Sequence, residues 1–154
     1  MNLLDVSFGI YAFMPLGWIF MLCVIAMECV IMARLLPQKW FDKKIYTVTT
    51  ISNVVSGLTG IILSLELNGG WWLVVWFPWV SNNEIHIANK QAFQGLVGFY
   101  LVAFVLTLII ETLINVWLLR KIYPRPAIIK ATVISNIVSY AIFSFVLYYY
   151  SFNL

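Results

Sequence analysis

Four long apolar runs divide the sequence and restrict the folds that it can adopt. They cover about residues 13–36, 45–67, 94–119 and 127–150. A transmembrane helix needs about 20 predominantly apolar residues, whereas membrane-barrel strands alternate in segments of about 10. The runs therefore predict helices. Only 10% of the residues are charged and the mean hydropathy is +0.96. We therefore expect an all-α integral membrane protein with four transmembrane helices.

The basic residues predict the orientation of these helices. Eight of the nine Lys and Arg residues lie in or beside the first and third connections: Arg34, Lys39, Lys43, Lys44, Arg120, Lys121, Arg125 and Lys130. The positive-inside rule places both connections in the cytoplasm and both termini outside. The expected location is a bacterial-type plasma (inner) membrane or an internal membrane. Because basic loops serve as topology signals beside anionic lipid, the net charge of +3 requires no nucleic-acid partner.

An internal repeat relates the two halves of the chain. "ISNVVS" at residues 51–56 returns as "ISNIVS" at residues 134–139, and the same shift of 83 positions superposes Glu28 on Glu111 and Asn53 on Asn136. The chain thus reads as a first hairpin over 1–67, a connection over 68–93 and a second hairpin over 94–154. Each hairpin contains two spans, so the halves form a parallel repeat and are expected to pack as a four-helix bundle.

Each predicted hairpin carries one Glu and one Asn at matching depth. Glu28 lies six residues before Arg34, and Asn53 lies eight residues after Ile45, which puts both roughly 10 Å from the same boundary. A bare carboxylate there is costly, and a side-chain amide on the adjoining helix is its obvious partner. We expect a Glu28–Asn53 pair and a Glu111–Asn136 pair, as structural hydrogen bonds or as a proton or cation relay.

Small residues recur at every fourth position beside these amides, a pattern that lets helix backbones approach closely. The expected packing positions are Ser52, Ser56 and Gly60 on the second helix and Ala131, Ser135 and Ser139 on the fourth.

The connection over 68–93 is rich in tryptophan. Trp71, Trp72, Trp76 and Trp79 surround a ten-residue apolar segment that is too short to span a bilayer. The segment fits an aromatic belt at headgroup level, or a docking surface for a membrane subunit, lipid or pigment.

The sequence offers little for chemistry. His86 is the only His, and together with Glu84 it provides too few ligands for a metal site. The chain contains no phosphate-binding glycine loop and no nucleophile paired with a base. We therefore expect no enzyme activity, no metal and no cofactor. The N-terminus "MNLLDVSFGI" contains Asp5 and lacks a basic region, so no cleaved signal is expected.

The stretch "VIAMECVIMARLL" followed by "TTISNVVSGLTG" resembles the first two spans of the cyanobacterial filament-integrity membrane proteins, over about residues 20–65 with an echo at 108–140. The resemblance implies a scaffolding or junction role in the plasma membrane at septal cell–cell connections. The tryptophan-rich connection departs from that pattern.

Three hypotheses about function remain open at this point. The first is an accessory or scaffold subunit that assembles with other integral membrane proteins or with itself. The second is an oligomeric conduit for protons, ions or a small solute that uses the Glu and Asn pairs. An intramembrane enzyme acting on lipid comes last, because no nucleophile with a base supports it.

Overall fold

The described part of the chain folds into four helices. The computed structural model describes residues 15–66 and 90–152, and this part contains α1 (Pro15–Leu35), α2 (Lys43–Glu66), α3 (Lys90–Leu119) and α4 (Arg125–Phe152), with no strand. The all-α prediction is confirmed, and the helix ends that can be compared fall within four residues of the predicted ones. Most of the tryptophan-rich connection lies outside the described residues.

The helices pack as a bundle in which each one has two principal neighbours. Helix α1 packs against α2 and α4, and α3 packs against the same two helices. Consequently α1 and α3 lie on one diagonal of the bundle, and α2 and α4 lie on the other. Residues on α1 and α3 that point inwards meet at the centre.

The connection between α1 and α2 is fixed by local hydrogen bonds. Asp42 caps α2, because its Oδ1 accepts hydrogen bonds from the backbone amides of Lys44 at 3.1 Å and Ile45 at 3.0 Å. The chain leaves α1 through Gln38, whose φ of 57° lies in the left-handed region, and the amide of Lys39 then donates to the carbonyl of Ala33 at 3.1 Å. A side chain at Gln38 is therefore held in a conformation that favours glycine.

Replacing Gln38 by glycine is expected to raise the free energy of unfolding by about 1 kcal/mol, because glycine removes the steric cost of the left-handed conformation. Equilibrium denaturation of the two proteins measures the change. Lys39→Gly is the matched control, since the described residues contain no other non-glycine residue with positive φ. It is expected to be neutral or destabilising, and equal stabilisation by both changes would contradict the explanation.

An apolar cluster closes the end of the bundle at the two short connections. Its buried members are Met32, Ala33, Ile45, Val48, Leu119, Ile128 and Ala131, and Leu36, Tyr46, Val116, Leu118 and Tyr123 pack against it. Both hairpins contribute to the cluster, so the α1–α2 and α3–α4 connections lie side by side. Burial and the nearby Asp42 carboxylate raise the pKa of Tyr123 above its ordinary value.

Large apolar side chains cover the outside of the bundle. Eight of those on the helices are more than half exposed: Ile19, Leu22, Leu58, Leu101, Leu113, Trp117, Ile137 and Phe145. By length and composition, one segment among the described residues, Leu101–Leu119, is apolar enough to cross a bilayer, and only 17% of it is buried in the fold. The predicted spans on the other three helices stay predictions.

Candidate functional site

The interior of the bundle is polar around two glutamates. Glu28 on α1 and Glu111 on α3 are each only 1% exposed, and each is the only acidic residue of its helix. They lie on diagonally opposed helices, and both contact the same turn of α2 and the same turn of α4. The repeat therefore brings its two rare acidic residues to one place at the centre of the fold.

Glu28 is held by one residue from each hairpin. Asn53 Nδ2, from the same hairpin, donates a hydrogen bond to Glu28 Oε2 at 2.9 Å. Ser139 Oγ, from the other hairpin, lies 2.6 Å from Glu28 Oε1. Both carboxyl oxygens of Glu28 thus have a polar partner, and one of the two contacts joins the halves of the chain.

Glu111 has the equivalent partners. Asn136 Nδ2 donates to Glu111 Oε2 at 2.8 Å within the second hairpin. Ser56 Oγ, from the first hairpin, lies 2.9 Å from Glu111 Oε1. A shift of 83 positions converts every contact of Glu28 into a contact of Glu111, so the site has approximate two-fold symmetry. We call the six residues Glu28, Asn53, Ser56, Glu111, Asn136 and Ser139 the polar cluster.

The orientation of both side-chain amides is fixed by a second hydrogen bond. Asn53 Nδ2 also donates to the carbonyl of Thr49 at 3.0 Å, and Asn136 Nδ2 donates to that of Thr132 at 3.1 Å. Exchanging N and O in either amide would lose its hydrogen bond to the backbone carbonyl, because a carbonyl oxygen only accepts. Both Asn residues therefore present donors to the glutamates.

The symmetry fails one helical turn closer to the short connections. Asn115 on α3 is buried and donates through Nδ2 to Thr132 Oγ1 at 3.1 Å. The position in α1 that matches Asn115 is Met32, whose sulfur lies 3.9 Å from the same hydroxyl. Thr49 Oγ1, which matches Thr132 Oγ1, has no hydrogen-bond partner among the described residues, and neither do Asn115 Oδ1 and Asn136 Oδ1.

The structure assigns different roles to the predicted packing positions. Ser52 and Ser135 are buried and bond back to the carbonyls of Thr49 and Thr132, both at 3.0 Å. Ala131 belongs to the apolar cluster. Ser56 and Ser139, which were expected only to allow close packing, contact the glutamates of the opposite hairpin.

Close packing at Gly60 is not seen. A Cβ added there would meet no atom within 4 Å, whereas one added at Gly57 would lie 2.9 Å from Met21 Cε. The tight contact is therefore at Gly57, one position after the predicted Ser56, and its partner is a flexible side chain.

The contacts of Ser56 and Ser139 had a signal in the sequence. In both hexapeptides Ser follows Asn by three residues, and residues three apart lie on the same side of a helix. The spacing places the amide and the hydroxyl on one face, but it does not identify the helix that receives the hydroxyl.

Other candidate residues fall elsewhere. Trp71, Trp72, Trp76, Trp79 and His86 lie outside the described residues, so the docking loop stays a prediction. Over 15–66 and 90–152, His, Cys, Asp and Glu residues do not assemble in the groups of three or more that a metal ion would need. The chemistry available in the polar cluster is hydrogen bonding and the holding of protons.

Comparison of the chain with protein families, with curated proteins and with solved structures found no match.

Proposed function

We propose that this chain is a non-enzymatic, multi-pass membrane protein that serves as an accessory or scaffold subunit for other integral membrane proteins. The observation that carries the proposal is the distribution of polar and apolar side chains, which is the reverse of that in a water-soluble protein. Two Glu, three Asn and several Ser and Thr residues are buried, while Leu, Ile, Val, Phe and Trp cover the outside. Exposed apolar surface of this extent is unfavourable in water and is the natural exterior of a protein in lipid.

The end of the bundle that carries the two short connections has the features of a membrane–water interface. Trp40 and Phe41 are 69% and 66% exposed in the α1–α2 connection, and the Arg34 guanidinium lies 4.3 Å from the centre of the Trp40 ring. Exposed aromatic residues beside basic ones are typical of the membrane–water interface. We place this end in the cytoplasm and all four helices across the membrane, with both termini on the other side.

A conduit for protons, ions or solutes receives less support. The apolar cluster lies between the polar cluster and the cytoplasmic end, and its members Ile45, Leu119 and Ile128 are fully buried. A polar path through the bundle would have to cross this layer. Short connections and an apolar exterior agree better with a subunit that binds neighbours through its outer faces, of which a junction scaffold is one form.

Cys23 offers a direct test of the membrane placement. Its side chain is exposed on α1, whereas Cys29 is buried, and both are free thiols. In a Cys29→Ala background, Cys23 in intact membranes is expected to resist a charged maleimide, because lipid excludes the reagent and suppresses the reactive thiolate. It is expected to react after the membrane is dissolved in a denaturing detergent.

A cysteine placed at Lys121, in the α3–α4 connection, is the matched control and is expected to react in membranes opened to the cytoplasmic side. Equal and rapid labelling of Cys23 and Lys121→Cys in a lipid-free preparation of stable, folded protein would contradict the membrane placement.

The subunit role is tested by mild detergent extraction and native mass measurement. A stable complex with a second membrane protein is the expected result. A homo-oligomer alone would favour the conduit instead.

A further inference from the structure

We propose that Glu28 and Glu111 form one proton-binding site that joins the two hairpins, with at least one proton held by the two carboxyl groups in the folded protein. The ligand is the proton itself. The proposal does not depend on the subunit role, because it rests on the hydrogen-bonding geometry inside a single chain.

The first argument is a count of donors in the polar cluster. Ser139 Oγ lies 3.0 Å from the carbonyl of Asn136 and 2.6 Å from Glu28 Oε1, yet a hydroxyl carries one proton. Ser56 Oγ is placed in the same way, 3.0 Å from the carbonyl of Asn53 and 2.9 Å from Glu111 Oε1. With both glutamates ionised, each hydroxyl leaves one of its two contacts without a proton.

The second argument is a buried acceptor that lacks a donor. Asn136 Oδ1 belongs to the amide whose nitrogen bonds Glu111, it is inaccessible to solvent, and it has no partner among the described residues. A buried polar atom without a partner costs about 1–3 kcal/mol. The cluster therefore has more hydrogen-bond acceptors than donors, and a bound proton adds one donor.

The third argument is charge. Glu28 and Glu111 contact the same turn of α2 and the same turn of α4, and the groups facing them there are the neutral side chains of Asn53, Ser56, Asn136 and Ser139. Two neighbouring carboxylates in a buried site do not both ionise readily, as in sites where an acidic pair shares a proton.

No cation faces the pair from any of the four helices in the described part of the chain. The other titratable side chains nearby are Cys29, next to Glu28 and turned towards Tyr46 and Thr50, and Tyr140, which bonds Thr107. The basic residues of α1–α4 with described surroundings lie at the helix ends beside the short connections.

A metal cation fits the cluster less well than a proton. Both Asn residues direct N–H groups at the carboxyl oxygens, and each amide is fixed in that orientation by its bond to a backbone carbonyl. Cation sites instead surround the ion with oxygen acceptors. The observed contacts thus assign the centre of the cluster to protons.

The arrangement makes the joint between the hairpins dependent on protonation. Ser139 and Ser56 reach across from one half to the glutamate of the other, so the same carboxyl groups that hold the proton also receive the contacts between the halves. Removing the proton leaves a negative charge on both carboxyl groups at that joint.

Infrared spectroscopy of the full chain in detergent or lipid tests the proposal. At neutral pH the protein is expected to show the carbonyl band of a protonated carboxylic acid that is absent from Glu28→Gln/Glu111→Gln. Asp42→Asn, which removes a carboxyl group outside the polar cluster, is expected to leave the band unchanged. Identical spectra of the wild type and a folded double variant would show that both glutamates are ionised and would overturn the proposal.

The same samples with added NaCl or KCl distinguish a metal cation from a proton. A band that persists supports the proton site. Loss of the band on addition of either salt, with a gain in stability, would assign the site to the cation and overturn the proposal.

A second measurement needs only the wild type and one conservative variant. The folded protein holds a proton that an unfolded Glu releases above about pH 5, so the unfolded state binds fewer protons and stability falls as pH rises. The unfolding equilibrium constant is expected to increase by up to about tenfold per pH unit for one released proton. Glu111→Gln is expected to weaken this dependence, and a wild type whose stability is independent of pH between neutral and alkaline conditions would overturn the proposal.

Discussion

Replacement of Asn136 by leucine is expected to lower the free energy of unfolding by about 2–3 kcal/mol, because it leaves buried hydrogen-bonding groups without partners. The amide loses its bonds to Glu111 Oε2 at 2.8 Å and to the carbonyl of Thr132 at 3.1 Å. Leucine has a similar size, so the loss reports hydrogen bonding more than a change of volume. Equilibrium unfolding in a detergent mixture measures it.

Two matched variants identify the source of the loss. Asn53→Leu removes the equivalent bonds in the first hairpin and is expected to act in the same direction. Ile137→Leu, next to Asn136 but 51% exposed, is expected to change stability by less than about 0.5 kcal/mol.

A double-mutant cycle isolates the pair itself. Asn136→Leu combined with Glu111→Leu is expected to cost less than the sum of the single changes. The expected coupling lies between about 0.6 and 1.7 kcal/mol, the average and the maximum measured for hydrogen bonds between membrane helices. Strict additivity would show that the contact between Asn136 and Glu111 contributes nothing of its own.

The contacts between Glu and Asn could be predicted from the sequence because they lie within one hairpin. A short connection fixes the two helices as neighbours, and the number of residues from the connection then sets the depth of each side chain. Glu28 and Asn53 have matching counts, and the repeat supplies the second pair at Glu111 and Asn136 without further assumptions.

The contacts of Ser56 and Ser139 could not be predicted in the same way because they lie between hairpins. The sequence does not state which outer face of one hairpin meets the other. Only the folded arrangement, with α1 between α2 and α4, brings Ser139 to Glu28 and Ser56 to Glu111. The proximity of the two glutamates depends on the same arrangement.

Small-residue rows gave less information than the polar residues. The spacing of Ser52, Ser56 and Gly60 marks one helix face, yet Ser56 acts through its hydroxyl. A Cβ added at Gly60 would meet no described atom within 4 Å. A glycine or serine is compatible with close packing without requiring it, whereas a buried carboxyl group requires partners.

The apolar cluster at the short connections provides the second large effect. Ile45→Ala is expected to lower the free energy of unfolding by about 2–4 kcal/mol, because Ile45 is fully buried and its loss leaves a cavity that its neighbours fill only in part. Ile128 occupies the equivalent place in the second hairpin and is also fully buried. Ile128→Ala is therefore expected to cost a similar amount.

The exposed neighbours of this cluster supply the controls. Ile129→Ala follows Ile128 directly in α4 but removes a side chain that is 42% exposed, and Ile51→Ala removes one that is 43% exposed. Each is expected to cost less than about 1 kcal/mol, since an exposed side chain leaves no internal cavity. Equal losses at Ile128 and Ile129 would contradict the placement of the cluster inside the bundle. Because Ile45 and Ile128 belong to one cluster, the double change Ile45→Ala/Ile128→Ala is expected to depart from the sum of the single losses, whereas independent hairpins would give additive losses.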